Sequence, residues 1–216
     1  MDSDPLKPRL LQRDESALAE LFELHHARLV RQVQFRLDPR LTGRVDPDDV
    51  VQEAYLDARV RLPHFDGGMS SFLWVRWVVQ QTLIAVHRRH LSTQMRSANR
   101  ERALPAQNTS FSLAAQLVGH PTSPSEVIMR EERAMILTRL LEDMSELDRE
   151  VIALRHFEDL SNAEVAESLG ITGKAASIRY VRALSRLKRL LSAAGAAPTQ
   201  LAPQSPSSSS SGSIAT

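Results

Sequence analysis

The chain has 216 residues, 42% of them hydrophobic, and a formal net charge of +1. This length suffices for one domain or two small ones, and the hydrophobic share suffices for a core. Aromatic residues make up only 5% and glycines number only 8, which favours an all-α fold over a sheet. The absence of cysteine excludes disulfides, cysteine-ligated zinc sites and thiol nucleophiles.

The N-terminus has no charged-then-apolar leader, and no apolar run approaches the roughly 18 residues needed to span a bilayer. We therefore expect a soluble, cytoplasmic protein with no membrane segment. Basic and acidic residues are segregated into blocks along the chain, and these blocks carry the functional signal.

The first two predicted helices are amphipathic, and the second carries the acidic block. The first begins at Asp14 and ends before Pro39. The second covers residues 46–62, because Asp46 can cap it and Pro47 suits the first helical position. The helix dipole also favours acidic residues in its first turn.

Acidic residues of the second helix are spaced four apart and so lie along one edge. They are Asp49, Glu53 and Asp57, with Asp48 beside the first of them. Like charges at this spacing lower helix stability by a few tenths of a kcal/mol per pair, so the edge suits a basic partner surface. Ordinary enrichment of acids at a helix N-terminus is the alternative, which accounts for Asp48 and Asp49 but poorly for Asp57.

The third predicted helix, over residues 72–90, is apolar over most of its circumference and ends in a cationic cluster. Aromatic, amide and cationic groups on one helix suit a surface that follows phosphates and contacts unpaired bases. A core helix with a cationic C-terminus, which the dipole favours, is the alternative. We predict that Trp74 and Trp77 pack in the core, since tryptophan is highly buried on average.

The histidines do not predict a metal site. His25 and His26 are adjacent, so on a helix they point about 100° apart and cannot bind one ion together. His87 and His90 share a helix face, but the sequence offers no third ligand nearby. We predict no metal, no cofactor and no catalytic residues.

A flexible linker is expected over residues 96–124, where apolar periodicity is lost and Pro, Ser, Thr, Ala and Gln are frequent. Phe111, Leu113, Leu117 and Val118 indicate that the linker lies against another part of the protein. A second helical unit is expected over residues 125–192. The Ser/Pro-rich tail over residues 193–216 is expected to be disordered.

A short helix, a glycine-containing turn and a longer basic helix are predicted over residues 161–191. Ser161 and Glu164 have the spacing of a capping box, Gly170 suits the left-handed conformation that ends a helix, and Thr172 is the expected N-cap of the longer helix. Such a helix-turn-helix usually places its second helix in the major groove of DNA. A surface hairpin with a solvated basic face is the alternative.

The longer helix is predicted to bury one apolar stripe and to expose cations between the stripe residues. The stripe comprises Ile178, Val181, Leu184, Leu187 and Leu191, which recur at steps of three and four residues. The cations are Lys174, Arg179, Arg182, Arg186, Lys188 and Arg189.

Three segments of the chain resemble, in the same order, three conserved segments of a known protein family. They are DPDDVVQEAYLDA, FDGGMSSFLWVRWVVQQTLIAVHRRH and MSELDREVIALRHFEDLSNAEVAESLGITGKAASIRYVRALSRLKRL. In that order they resemble the polymerase-facing second region, the minus-ten segment and the minus-thirty-five-recognising fourth region of bacterial RNA polymerase sigma factors. The resemblance is to the extracytoplasmic-function group of the sigma-70 family, and it covers roughly residues 15–192.

Two departures from the family pattern concern DNA recognition. The family usually has a tryptophan three residues after the phenylalanine that Phe72 matches, whereas this chain has Val75 there and Trp74 beside it. At the head of the recognition helix, residues 174–177 replace the usual Gly-Thr-Val-Lys. We therefore expect base recognition to use chemistry of this chain's own.

The resemblance implies two small helical domains, residues 14–95 and residues 125–192, joined by the linker. Core RNA polymerase and promoter DNA are the implied partners, with an anti-sigma factor as a further one. The residues expected to bind polymerase are Asp48, Asp49, Glu53 and Asp57. Those expected to contact the minus-ten element are Arg76, Gln80, Gln81, His87, Arg88 and Arg89.

For the minus-thirty-five element, residues near the N-terminus of the recognition helix are expected to reach base edges. Base contacts are assigned to Lys174, Ser177 and Arg179, and phosphate contacts to Arg182 and Arg186. The polymerase would perform the chemistry. A free-standing regulator with a sensing or dimerising N-terminal half is the alternative function, and a helical metal-dependent hydrolase is a weaker third.

Overall fold

The computed structural model describes residues 4–95, 109–118 and 124–193, and over these residues it is helical with no strand. This confirms the predicted all-α class. The helices are α1 (Lys7–Leu11), α2 (Glu15–Arg36), α3 (Pro47–Arg61), α4 (Ser71–Met95), α5 (Thr109–Val118), α6 (Pro124–Glu142), α7 (Glu146–Ile152), α8 (Asn162–Leu169) and α9 (Gly173–Ala193). A single π-helical turn, Ala153–Phe157, follows α7.

The helices begin where polar side chains can bind free backbone N–H groups. Asp14 accepts from the N–H groups of Ser16 and Ala17 at the start of α2. Asp46 does the same for Asp48 in α3, where Pro47 occupies the first position as predicted. These caps locate α2 and α3 from local sequence alone.

Helices α2, α3 and α4 form the N-terminal bundle. Its centre is apolar and fully enclosed, with side chains that are at most 2% exposed. These include Leu18, Leu29 and Val33 of α2, Val50, Ala54 and Ala58 of α3, and Val75, Val79 and Leu83 of α4. The bundle thus holds the acidic face of α3 and the cationic end of α4 on helices that share one core.

Part of the predicted linker is a helix. Leu113 and Ala114 of α5 are fully buried and pack with Leu137 and Leu141 of α6. The apolar residues of this segment recur at helical spacing, which gives it a face to bury. Residues 96–108 and 119–123 of the predicted linker, and residues 194–216 of the predicted tail, lie outside the described residues.

The two halves of the chain contact each other through apolar surfaces. Val151, Leu154 and Val165 of the C-terminal half belong to the same buried cluster as the N-terminal bundle. Phe35 of α2 belongs instead to the cluster formed by α5, α6, α7 and α9, where it stacks on Phe157 at a centroid distance of 4.9 Å. The end of α2 is therefore inserted into the C-terminal half.

A buried charge cluster crosses the same contact. The carboxylate of Glu158, which has no exposed side-chain surface, accepts from Arg36 Nε at 2.7 Å and from Arg76 Nη2 at 2.6 Å. Arg36 also donates to Glu150 at 2.6 Å. Burial raises the pKa of Glu150, but the charge and hydrogen bonds of Arg36 outweigh this and leave the pKa below its usual value.

A second polar link joins α2 to the start of α8. Arg28 donates from two nitrogens to the two oxygens of Glu164, at 3.0 and 2.7 Å, and its guanidinium lies 3.8 Å from the centroid of the Phe72 ring. Such bidentate pairs fix geometry as well as adding energy. The helix-turn-helix is thus held against the N-terminal bundle.

Replacing Glu158 with glutamine should lower the free energy of unfolding by about 3–5 kcal/mol, because two largely buried guanidinium groups would lose their shared carboxylate. Denaturant titration measures this change. Asp159→Asn is the matched control, since the neighbouring Asp159 side chain is 62% exposed and pairs only at the surface with Arg31. Equal, small losses in both variants would contradict a structural role for the buried cluster.

Candidate nucleic-acid and partner interfaces

The predicted acidic edge of α3 turns from solvent towards α4 along its length. Asp49 is exposed, whereas Glu53 and Asp57 are half-buried. Glu53 pairs with Arg89, and Asp57 accepts from Thr82 Oγ1 at 2.8 Å. Residues four apart on a helix drift by about 40° per step, which moves the later members of the row onto the α4 side.

Asp48 lies in the same first turn and is half-exposed. Its Oδ1 atom is 3.0 Å from Nε2 of His26 on α2. The structure therefore brings Asp48 and Asp49 together at the exposed start of α3 and assigns Glu53 and Asp57 to contacts within the bundle.

An apolar groove that the sequence pattern did not predict runs between α2 and α3. It encloses about 770 Å³. The lining residues are Ala19, Phe22, Glu23, His26, Val51, Gln52, Tyr55 and Leu56. Leu56 is 58% exposed and lies outside the row of buried residues of α3. An apolar residue outside that row was the sequence feature that could have indicated the groove. Because Asp48 contacts His26, the acidic first turn lies at the rim of the groove.

His87 is buried, so in this structure its side chain is not accessible for the DNA contact predicted for it. The side chain is 0% exposed, and its Nε2 accepts a hydrogen bond from the backbone N–H of Asp38 at 3.1 Å. Burial lowers the pKa of His87; the charge of Asp38 opposes this shift, and the electrostatic effects of Arg40 and His90 reinforce it. The sequence of residues 87–90 did not indicate that His87 is buried while the other three residues are exposed.

Arg76 and Gln80 face the C-terminal half. Arg76 is held by Glu158, and its side chain is 13% exposed. Gln80 Oε1 accepts from Gln32 Nε2 at 3.4 Å. Both residues line a cavity of about 560 Å³ together with Glu150 and other residues of the two halves. In this arrangement they are turned away from the outer surface of α4.

The outer face of α4 carries Trp77, Gln81 and Arg88, at spacings of four and seven residues. Trp74 is buried, as predicted, but Trp77 is 42% exposed, so its predicted core position is wrong. Val75 and Val79, each two residues from Trp77, mark the buried face, which leaves Trp77 on the opposite side. The two-residue spacing from these valines could have predicted that Trp77 is exposed.

Arginines flank this outer face. The Arg61 guanidinium lies 5.4 Å from the centroid of the Trp77 ring. Arg88 and Arg89 are both exposed at the C-terminal part of α4, with Arg89 paired to Glu53. An exposed aromatic ring, an amide and cations on one face can stack on bases and neutralise phosphates.

The helix-turn-helix has the local geometry predicted for it. Both hydrogen bonds of the Ser161–Glu164 capping box are present, and Gly170 is left-handed with φ 63° and ψ 32°. Thr172 Oγ1 accepts from the N–H of Ala175 at 3.2 Å. Asn162 Nδ2 donates to the carbonyl oxygen of Gly173 at 2.7 Å, which ties the start of α8 to the start of α9.

The buried face of α9 differs from the predicted stripe. Ala176, Ala183, Leu187 and Leu191 are buried, which confirms the last two members of the stripe. Ile178 and Val181 are exposed, so their predicted burial is wrong, and Leu184 is partly buried. Small alanines let α9 approach its neighbours closely, and the face they mark is rotated away from Ile178 and Val181. The predicted stripe favoured larger apolar residues over these alanines.

The candidate residues of α9 divide by their contacts. Lys174, Ser177 and Arg182 are exposed. Arg179 is half-buried and pairs with Asp148 at 2.9 Å. Arg186 is exposed and donates to the carbonyl oxygen of Asp143 at 2.6 Å. The side chains of Lys174, Ser177 and Arg182 are therefore accessible to a binding partner.

Within the described ranges, no helix is both long and apolar enough to cross a membrane. Those same ranges hold no group of three or more histidine, aspartate or glutamate side chains placed to bind a metal ion. The features that the described surface does offer are a basic helix-turn-helix, an aromatic and cationic helix face and an acid-rimmed apolar groove.

Lowering the pH from about 7.5 to about 5.5 should destabilise the protein partly through His87. Above the ordinary value of 6.5, both the folded and the unfolded chain carry a neutral His87. Below pH 6.5, His87 binds a proton in the unfolded chain but stays neutral in the folded chain, where its pKa is lower. Protonation therefore favours the unfolded chain, and the free energy of unfolding falls. His25, whose pKa burial also lowers, contributes in the same direction.

Denaturant titration at both pH values tests this assignment. His87→Gln should show a smaller pH-dependent fall than the unsubstituted chain, because the titrating group is gone. His64→Gln, at an exposed position that is not among the groups shifting the pKa of His87, should keep the full fall. The same fall in all three proteins would refute the role of His87.

The chain is similar to known proteins over most of its length. Residues 134–187 match the family model described as Sigma-70, region 4. ECF RNA polymerase sigma factor SigD of Mycobacterium tuberculosis (strain ATCC 25618 / H37Rv) is 29% identical over 183 residues, covering 84% of this chain and 80% of the relative. The ECF RNA polymerase sigma-E factor of Escherichia coli (strain K12) is 30% identical over 125 residues, covering 56% of this chain and 61% of the relative. The solved structure of CnrH in complex with the cytosolic domain of CnrY aligns with a TM-score of 0.48 at 23% identity, covering 88% of this chain and 97% of that chain.

Proposed function

The chain belongs to the extracytoplasmic-function group of the sigma-70 family, and from this premise we propose that it directs core RNA polymerase to promoters. It does so by contacting the minus-ten and minus-thirty-five elements. The observation that carries the proposal is the α8–α9 helix-turn-helix, which lies within the matched region up to residue 187 and whose longer helix exposes Lys174, Ser177 and Arg182. The chain binds promoter DNA and core polymerase, and the polymerase catalyses RNA synthesis. Transcription initiation by this complex takes place in the cytoplasm.

The start of α3 and the α2–α3 groove form the proposed polymerase-docking surface. Asp48 and Asp49 supply negative charge at the rim, and Leu56 supplies exposed apolar area. A basic helical surface with apolar side chains at its centre fits both features. Complementary charge at such a rim mainly speeds and orients association, while the apolar centre provides affinity.

The outer face of α4 is the proposed minus-ten surface. Trp77 stacks on an unpaired base, Gln81 hydrogen-bonds to a base edge, and Arg88 and Arg89 contact phosphates. Each base stacked on an aromatic ring contributes about 1–3 kcal/mol. Arg76 and Gln80 lie on the side of α4 that faces the C-terminal half, so they become accessible to DNA only when the two halves of the chain separate and Glu158 releases Arg76.

The N-terminal part of α9 is the proposed minus-thirty-five surface. Lys174 and Ser177 lie near the start of the helix and reach base edges, whereas Arg182 lies further along and contacts phosphate. Arg179 and Arg186 contribute to DNA binding by exchanging their partners, Asp148 and the carbonyl of Asp143, for DNA.

Reversing the charge of Asp49 should weaken binding to core polymerase by about tenfold or more at low salt, since a like charge would face the basic partner. Asp49→Lys suits this test because the residue is exposed at the start of α3. Co-elution with core polymerase and a binding titration measure the change. Glu132→Lys makes the same charge change at an exposed position of α6 and should keep most of the affinity.

Unchanged polymerase affinity in Asp49→Lys would remove the docking assignment from α3. A chain that bound promoter duplex tightly by itself and ignored polymerase would support the free-standing regulator instead.

Alanine at Arg182 and alanine at Lys174 should have different effects on DNA binding by the holoenzyme. Arg182→Ala should weaken binding similarly across sequences and lower the slope of log affinity against log salt by about one. Lys174→Ala should instead change sequence preference, with a cost of about 1–3 kcal/mol at the preferred base pair. Titrations at several salt concentrations on matched and mismatched duplexes separate the two, and the reverse pattern would exchange the roles.

A further inference from the structure

We propose that Ile178 and Val181 determine minus-thirty-five specificity by contacting thymine methyl groups in the major groove. This inference rests on the proposed function and adds to it a chemical class of base contact. It begins from the two apolar side chains of α9 that the structure leaves exposed rather than buried.

The two residues lie on the face of α9 opposite its packing face. Ile178 is 43% exposed and Val181 is 61% exposed. The packing face is marked by Ala176 and Ala183, which are at most 1% exposed, and by Leu187. Val181 is two residues before Ala183, and Ile178 is two residues after Ala176. Steps of two residues turn about 200° around a helix, so both exposed residues point away from the core.

The surroundings of this pair favour a polyanion as the partner. Lys174 lies one turn before Ile178 on the same face, and Arg182 and Lys188 flank the pair as exposed cations. The sequence of α9, GKAASIRYVRALSRLKRLLSA, has no acidic residue. A single exposed apolar residue needs no explanation, but two neighbours at the centre of a cationic recognition face are suited to a groove lined by phosphates.

The chemistry of the side chains selects thymine. Isoleucine and valine have no hydrogen-bonding group, so they cannot satisfy the donors and acceptors that the other bases present in the major groove. Thymine alone presents an apolar group there, its C5-methyl. Covering a polar base edge with these side chains would leave it without a partner, which is costly. The preference thus combines an attractive contact with rejection of the other bases.

The spacing of the pair predicts the spacing of the bases. Side chains three residues apart on a helix have Cβ atoms about 5–6 Å apart. Successive base pairs are separated by about 3.4 Å along each strand. The two methyl groups should therefore belong to thymines one or two base pairs apart in the upstream element.

Replacing thymine by deoxyuridine tests the inference directly, because it removes only the methyl group. The full chain is assembled with core polymerase, and the preferred upstream element is selected from promoters randomised in that region. Each thymine of the selected element is then replaced singly by deoxyuridine. At two positions, holoenzyme affinity should fall by on the order of fourfold, the loss of one buried methyl contact.

Alanine variants assign each methyl to a side chain. Ile178→Ala should bind the thymine and deoxyuridine duplexes equally at one of the two positions, and Val181→Ala should do so at the other. Ile136→Ala, which removes another exposed isoleucine, is the matched control and should keep both differences. All three changes are at exposed positions, so unfolding titrations should show the fold unchanged.

The outcomes separate this inference from the proposed function. A selected element that is insensitive to every deoxyuridine replacement, or a sensitivity that persists in both alanine variants, would overturn the thymine contact alone. Loss of polymerase binding in Val181→Ala with unchanged deoxyuridine sensitivity would assign the face to a protein contact and also overturn it. Failure of the chain to confer any upstream element would overturn the proposed function together with the inference.

Discussion

The carboxylate of Glu158 is buried between two guanidinium groups, and the arrangement of the two halves depends on it. Arg36 belongs to α2 and Arg76 to α4, while Glu158 follows α7, so one acid joins three parts of the chain. A buried charge without partners is costly, so these groups stay together as long as the halves are in contact. The contact turns one side of α4 inward and leaves Trp77 and Arg88 on the other.

Features that depend on a few neighbouring residues could be predicted from the sequence. The capping box at Ser161 and Glu164, the left-handed Gly170 and the start of α3 at Pro47 each follow from contacts within one helical turn. The all-α class follows from composition and helical periodicity. A helix boundary needs no knowledge of what the helix packs against, which is why these predictions were confirmed.

Features that depend on partner helices could not be predicted in the same way. His87 is enclosed by the segment around Asp38, far away in sequence, and its cationic neighbours gave no sign of this. Trp77 was assigned to the core from the average behaviour of tryptophan, although the valines around it marked the opposite face. On α9, the small Ala176 and Ala183 define the packing face, which leaves the larger apolar residues outside.

We propose that the chain recognises two promoter elements with two helix faces and binds polymerase through an acid-rimmed groove. Transcription by core polymerase on genomic DNA, with and without the chain and with start sites mapped, tests this account most directly. The account predicts new start sites that appear only with the chain and share minus-ten and minus-thirty-five elements at a constant spacing. Unchanged start sites, with duplex DNA bound by the chain alone, would contradict it.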